Sequence, residues 1–429
     1  MSKNPLPAQP FTWVLAETEH CNKCGFCLPA CPTYRISGQE LHSPRGRIAM
    51  VEAAAREELP DLSGMEEALE FCVGCRACEP ACPSGVHYER ILEAGRTYLI
   101  RRGSTAFRGA LASRSALYLT KHPKALRQIG RLGRRLSRIV PDVGIGSDFL
   151  GMLPKTRDTS AIRPVNTNLP ATPMSPRVAF FSGCVMDSMF ADENLAARNL
   201  LEAAGYSVEV VLGQSCCGAI HLHSGEIEST KALAKANIVA FEREHWAWIA
   251  NAAGGCGAML QEYPELLADE SDWVQRAEAF SSRVRDFSTL LLEPTASPLA
   301  FRGNGSRIVL QNSCHLANVQ RAGQDPIRLL RQVEGDTLVS FQDQEMCCGS
   351  GGLYNINHRT WAQAILDDKM GKVAVKTPDR ILVNNPGCQL QMQSGVSRHQ
   401  EVRASVEHVA TYLWRCHLAA RSSQSRRDA

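Results

Sequence analysis

Two kinds of hydrophobic pattern divide the chain. From residue 177 onward, short apolar runs alternate with longer stretches whose apolar positions recur every three or four residues, the signature of strands followed by helices. Arg177-Val-Ala-Phe-Phe-Ser-Gly and Arg307-Ile-Val-Leu-Gln-Asn-Ser read as strands. Asn194 to Ala204 and Asp325 to Val333 read as helices, and Val208 to Leu212 and Leu338 to Phe341 as further strands. Long helices are expected around 229–245 and 359–376, before the strand-like Trp248-Ile-Ala and Arg380-Ile-Leu-Val-Asn. The order is α/β, written twice. Before residue 177 the pattern is weaker, with a helix-like run from Ser43 through Glu57. Residues 151–176, carrying Pro154, Pro164, Pro170, Pro173 and Pro176, read as an extended connector.

Cysteine turns this repetition into a measured duplication. Among the 17 cysteines, Cys184, Cys216-Cys217-Gly218 and Cys256 recur as Cys314, Cys347-Cys348-Gly349 and Cys388, at offsets of 130, 131 and 132 residues. Such constancy over three anchors implies two copies of one domain-sized unit. Each group follows a strand-like run, and the carboxyl ends of parallel strands form the ligand crevice of an open α/β sheet, so four thiols per copy are expected along one edge. The fold class that follows is α+β overall: an α-helical ferredoxin-like domain at residues 1–95, a basic helical segment and connector at 96–176, and tandem α/β cysteine-rich domains at 177–300 and 301–429.

The other dense cysteines lie in the first domain. They read Cys21-x2-Cys24-x2-Cys27-x3-Cys31-Pro32 and Cys72-x2-Cys75-x2-Cys78-x3-Cys82-Pro83, the spacing of bacterial two-cluster ferredoxins, in which the fourth cysteine of each run ligates the other cluster. One [4Fe-4S] cluster is therefore expected on Cys21, Cys24, Cys27 and Cys82, and a second on Cys72, Cys75, Cys78 and Cys31. Zinc also takes four thiolates, but its sites pair two C-x2-C knuckles, and this spacing does not. In the duplicated half three readings stay open for Cys184, Cys216, Cys217, Cys256, Cys314, Cys347, Cys348 and Cys388: a further iron-sulfur cluster, a thiol or vicinal-disulfide redox site, or a structural metal or docking site. Cys416 has no partner in sequence and reads as a buried, inert thiol. His221, His223 and His315 read as ordinary polar residues, and Arg45 and Arg47 either as cluster counter-charges or as plain surface arginines.

Bulk numbers narrow the remaining classes. Lys and Arg total 47 against 44 Asp and Glu, which gives no electrostatic case for nucleic acid. No strand leads into a G-x-G-x-x-G turn, so nucleotide and flavin sites are not expected here. No apolar run approaches the roughly 18 residues of a spanning helix; no export segment is evident, and so many clustered cysteines suit a reducing cytoplasm. From Ala94 to Pro141 there is no acid but twelve basic residues, among them Arg101, Arg108, Arg114, Lys121, Arg127, Arg131 and Arg138. That stretch reads as a solvated or partner-docking helical face, with peripheral contact to the inner membrane surface as the alternative.

Cys27-Leu-Pro-Ala-Cys-Pro-Thr-Tyr34, Glu40, Ser43-Pro-Arg-Gly-Arg-Ile48 and Cys82-Pro-Ser-Gly-Val-His-Tyr88 together resemble the glycolate oxidase iron-sulfur subunit family. The duplicated half is similar to cysteine-rich CCG domain pairs, shared with heterodisulfide reductase B-type subunits and anaerobic glycerol-3-phosphate dehydrogenase C subunits. The resemblance implies an electron-transfer subunit that is not catalytic alone. FAD-binding partner subunits would oxidise glycolate, or a related acid such as D-lactate, and a quinone-linked acceptor would take the electrons; a stand-alone disulfide or heterodisulfide reductase is the alternative. Heterodisulfide reductase domains end each copy in C-x2-C, whereas Met259 and Gln391 hold those last positions here.

Overall fold

The computed structural model describes residues 11–104, 111–122, 125, 126, 128 and 175–425. Its N-terminal part is helical, built from Pro32–Ser37, Pro44–Ala55, Ser63–Glu70 and Tyr88–Arg101. The helix expected after Ser43 starts there for a local reason. Ser43 Oγ accepts the Gly46 N–H at 2.9 Å, and Pro44 occupies a first-turn position whose N–H no helix would use. Val51, Met65, Leu69, Ile91 and Leu99 from these helices are fully buried together, each stabilising by about 1.5–3 kcal/mol relative to exposure. The two cysteine loops hang from this small core.

The basic stretch is only partly described. Helix Leu111–Lys121 carries Arg114 on its exposed side, while Arg108, Lys124, Arg127, Arg131, Arg134, Arg135, Arg138 and connector residues 151–174 lie outside the described residues. Among the described residues, no helix is long and apolar enough to cross a membrane.

The duplicated half holds two four-stranded sheets of like topology. Strands β1 (Arg177–Phe180), β2 (Ser207–Val210), β3 (Trp248–Asn251) and β4 (Val284–Asp286) line up as β2-β1-β3-β4, all parallel. A two-residue strand β5 (Phe301–Arg302) pairs with β7 (Val333–Glu334) between the copies. Strands β6 (Arg307–Gln311), β8 (Thr337–Leu338), β9 (Arg380–Val383) and β10 (Ser405–His408) then repeat the order as β8-β6-β9-β10, with Val309 against Ile381. The helices expected from periodicity occur as Ala191–Ala203, Ile227–Phe241, Gln324–Leu330 and Arg359–Ala374. Two differences stand out. The strand expected over Leu338 to Phe341 ends at Leu338, and the fourth strands, with a single apolar residue each in Val284-Arg-Asp and Ser405-Val-Glu-His, offer no apolar run to read in sequence. Phe180, Phe287, Leu310, Leu382, Leu413 and Trp414 share one apolar core between the sheets, which binds the copies to each other.

Candidate iron-sulfur centres

The two N-terminal cysteine loops curl alike. Lys23 and Gly25 in the first, and Gly74 and Arg76 in the second, take positive φ at matching places, two residues after the first cysteine and one after the second. Left-handed residues at these points wrap the backbone around a centre. The first loop encloses a cavity lined by Cys21, Cys24, Cys27 and Cys82, with Cys78 on its wall. A neighbouring cavity is lined by Cys31, Cys72, Cys75 and Cys78. The fold thus carries Cys82 to the first loop and Cys31 to the second. Exposure differs between the sets: Cys24 lies at the surface, whereas Cys31, Cys72, Cys75 and Cys78 are all buried. Among the described residues no three His, Cys, Asp or Glu side chains gather as tightly as one metal ion requires; the thiols line walls rather than converge on a point.

Arg47 tests what those walls can hold. It is 1 % exposed, and its guanidinium donates to Ala68 O at 2.6 Å, Thr33 Oγ1 at 2.9 Å and Cys31 Sγ at 3.7 Å. Among the described residues no carboxylate pairs with it. A buried cation without a counter-charge costs several kcal/mol, so the position favours a negatively charged group in the cavity beside it. Burial works against a Cys72 thiolate, yet the charges of Arg47 and Arg96 and the Tyr88 hydroxyl, 3.4 Å from Cys72 Sγ, outweigh it and lower that thiol's pKa. Four thiols around each cavity and a buried cation beside the inner set are a donor set that fits iron-sulfur clusters.

In the repeats the thiols gather at the carboxyl ends of the strands. Cys184 opens the helix Cys184–Met189 after β1, Cys216 and Cys217 follow β2, and Cys256 lies in the helix Gly254–Gln261 after β3. The order β2-β1-β3-β4 reverses direction between β1 and β3, a topological switch point where open α/β sheets bind ligands. Cys314, Cys347, Cys348 and Cys388 occupy the corresponding places after β6, β8 and β9. Cys184 and Cys216 sulfurs are 3.3 Å apart, and the Gly218 and Gly349 N–H groups point at Cys216 Sγ (3.5 Å) and Cys347 Sγ (3.4 Å). The contact between Cys184 and Cys216 raises the first thiol's pKa and lowers the second's, so Cys184 keeps the proton they share. Met259 and Gln391 are buried, and Gln391 is spent on Ala362 O and Asn355.

Of the histidines read as ordinary, His221 is buried, and His223 and His315 are half-buried where the ferredoxin-type part meets the repeats. His223 and His315 rings stand 5.7 Å apart, and burial depresses them to about 3 and about 4. Cys416 is buried as expected, and burial pushes its thiol up to about 11, which leaves it unreactive. Sequence reasoning passed over four polar residues of these sites: Tyr88, Arg96, Asn237 and Lys369. The last two were within reach, because the 132-residue offset between Cys256 and Cys388 also pairs Asn237 with Lys369.

Comparison with known proteins agrees with this geometry. A family described as "4Fe-4S dicluster domain" matches residues 17–86, and one described as "Cysteine-rich domain" matches residues 178–261 and again 308–393. The protein is thus an iron-sulfur oxidoreductase component with one ferredoxin-type domain and a duplicated CCG domain. Over 401 residues it is 40% identical to the "Probable glycolate oxidase iron-sulfur subunit" of Bacillus subtilis (strain 168), covering 89% of this chain and 90% of that protein. It is 29% identical over 396 residues to the "Glycolate oxidase iron-sulfur subunit" of Escherichia coli (strain K12), covering 90% and 91%. "Lactate utilization protein A" of Shouchella clausii (strain KSM-K16), 28% identical over 236 residues, aligns along 98% of its own length but 55% of this chain. The chain belongs to the glycolate oxidase iron-sulfur subunit family.

Proposed function

We propose that the chain is the electron-carrying subunit of a flavin-dependent 2-hydroxy-acid dehydrogenase complex. Cys21, Cys24, Cys27 and Cys82 hold one [4Fe-4S] cluster, and Cys72, Cys75, Cys78 and Cys31 hold the other, within a first domain spanning residues 1–95. When bound, the clusters supply one-electron relay between a flavin, which takes two electrons from the hydroxy acid, and a respiratory acceptor. The observation that carries this reading is the gradient of burial across two adjoining thiol-lined cavities. Cys24 and the two-thirds exposed Phe26 leave the first open to a partner, while the four thiols of the second are buried beside the Arg47 guanidinium, whose charge favours a negative group there. Cys78 lines both and joins them.

The FAD belongs to partner subunits, because no site for it is evident in this sequence. Relatives of full length carry glycolate oxidase in their names and shorter ones lactate utilization, which favours a short 2-hydroxy acid, glycolate first. Anaerobic purification tests the reading: brown protein with about eight irons from the two N-terminal motifs, a flavoprotein that copurifies, and glycolate or D-lactate oxidation only when both are present. Colourless, iron-free material, or turnover by this chain alone, overturns it.

A further inference from the structure

The two thiol quartets of the repeats match in sequence but not in surroundings. In the first copy the helix Ile227–Phe241 presents Asn237 to the cysteine pair. Its amide accepts the Ser215 N–H at 2.7 Å and donates to Cys216 O and the Tyr263 hydroxyl at 3.0 and 2.9 Å, a neutral brace for the loop. The register of the second copy is fixed by packing as well as by numbering. A Cβ on Gly218 would meet Thr230, one on Gly349 would meet Ala362, and the 132 residues from Thr230 to Ala362 are also those from Asn237 to Lys369.

Lys369 is 3 % exposed. Its ammonium donates to Asp343 O at 2.7 Å, but the Asp343 carboxylate is held by Arg35 at 2.8 Å and Lys372 at 2.7 Å. Burial lowers Lys369 to about 8, and the acidic groups that work against this are the thiols of Cys348, Cys347 and Cys388, ahead of Asp343. A cation buried without a carboxylate of its own is costly unless a negative group faces it.

A second observation separates the quartets independently. Cys314 and Cys347 share one buried apolar cluster with Val73 and Cys75 of the second ferredoxin loop. Asn318 donates to Cys75 O at 2.9 Å, and a Cβ on Gly351 would stand 3.0 Å from Val73 O. The first quartet instead packs within its own copy, among Phe181, Leu222, Phe241 and Tyr263.

We infer that the second quartet, Cys314, Cys347, Cys348 and Cys388, is the electron-carrying one of the pair, and that Lys369 is the positioning residue whose charge balances it. This rests on the function proposed above. The quartet holds an iron-sulfur group through thiolates and takes up one electron for each electron given up at the loop of Cys72, Cys75 and Cys78, which is refilled from the hydroxy acid oxidised on the partner's flavin. The positive charge of an ammonium buried at this place makes the added electron easier to accept.

The test uses the full chain purified anaerobically, with iron analysis and a redox titration followed by electron paramagnetic resonance. Wild-type protein is expected to show the two ferredoxin-type signals and a third. Cys348→Ser should abolish the third signal and lower the iron content while leaving the first two; Cys217→Ser should leave all three. Lys369→Asn, which copies the first repeat, should keep the iron yet shift the third couple at least tenfold toward its oxidised form, ~59 mV for a one-electron step, and Lys369→Arg should restore it. Equal loss from Cys217→Ser and Cys348→Ser, an unmoved potential in Lys369→Asn, or eight irons and only two signals in the wild type would each overturn the inference. The last result leaves the proposed function intact, whereas loss of the two ferredoxin-type signals themselves condemns that function instead.

Discussion

The two cysteine-rich repeats share a strand order, four thiol positions and a helix register, but they meet the ferredoxin-type part through different chemistry. The second copy offers rings and apolar groups: Trp361 lies 4.9 Å from Phe71 and 5.2 Å from His42, centroid to centroid, and Cys314 and Cys347 sit among Val73, Cys75 and Tyr354. The first copy offers charge, with Glu262 paired to Arg76, Glu265 to Arg90, and the His223 carbonyl accepting from Arg96 at 3.0 Å. Duplication supplied one scaffold, and divergence at its contact surface made the copies unequal. An apolar seam excludes water and lowers the local dielectric around a redox group, one of the levers by which a protein tunes it, whereas a charged seam stays near solvent. Substitutions at matched positions show how deep this inequality runs.

The largest effect is expected at the glycine of each Cys-Cys-Gly turn. Both adopt left-handed backbone, at φ 96° for Gly218 and 90° for Gly349, so alanine costs about 1–3 kcal/mol at either. What the added methyl meets differs. At Gly349 it would lie 2.6 Å from the Ala362 carbonyl oxygen, a backbone atom inside a helix, and at Gly218 it would lie 2.9 Å from the Thr230 methyl, which can turn aside. Gly349→Ala should therefore lose about 2 kcal/mol more than Gly218→Ala, within the range that marks a core clash. Urea unfolding followed by tryptophan fluorescence measures the gap, and equal losses would mean the two turns are interchangeable.

A slightly smaller effect comes from a matched pair that carries opposite chemistry. Asp286 ends β4 and caps the next helix, its Oδ1 accepting the Ser288 N–H at 2.9 Å; His408 ends β10 and does the same through Nδ1, which accepts the Ala410 N–H at 3.1 Å while Nε2–H donates to Ala252 O. Burial raises Asp286 to about 6 and lowers His408 to about 4. The raised carboxyl contributes stability that is complete below pH 3.8 and is lost as pH rises through about 6. The depressed imidazole contributes stability that is present above pH 6.5 and is lost as pH falls through about 4. Each amounts to about 3 kcal/mol, and between pH 4 and 6 they oppose one another. Asp286→Asn should thus raise the thermal midpoint at pH 7 and steepen its fall on acidification from 6.5 to 4; a parallel shift at every pH would deny the opposition.

Much of this inequality could not be read from the chain. The duplication was legible because cysteines and glycines mark turns that tolerate little else, and the crossing of Cys31 and Cys82 because ferredoxin spacing dictates it. Helices such as Ala191–Ala203 declared themselves by apolar spacing, whereas β4 and β10, with a single apolar residue each, show no pattern to read. Arg47 could be read either as a cluster counter-charge or as a surface arginine, because nothing in Ser43-Pro-Arg-Gly-Arg records that the first arginine points outward and the second inward. Lys369 sits in a helix with Asp367 and Asp368, where a charged residue ordinarily faces water. Its burial follows from the packing of that helix against Phe341, Asp343 and the cysteine turn within the same repeat, and only the tertiary structure carries that information.

The smallest expected effect bears most directly on the two seams. Arg90 and Glu265 are both part-exposed, and pairs of that kind contribute about 0.2–1 kcal/mol and weaken as salt shortens the Debye length from ~10 Å at about 0.1 M toward ~3 Å at about 1 M. Arg76 and Glu262 lie deeper, so salt reaches them less. Among the described residues the second seam pairs Arg35 with Asp343, an aspartate also held by Lys372, and His358 with Glu70, but it also carries the contacts of Trp361, Phe71 and Tyr354, which added sodium chloride does not screen. Raising salt should therefore speed amide exchange along Tyr263–Leu266 by less than about fivefold and leave Tyr354–Asn357 unchanged. Were both segments to loosen together, the seams would be alike in kind, and the second repeat would owe its contact with Cys75 to charge rather than to apolar packing.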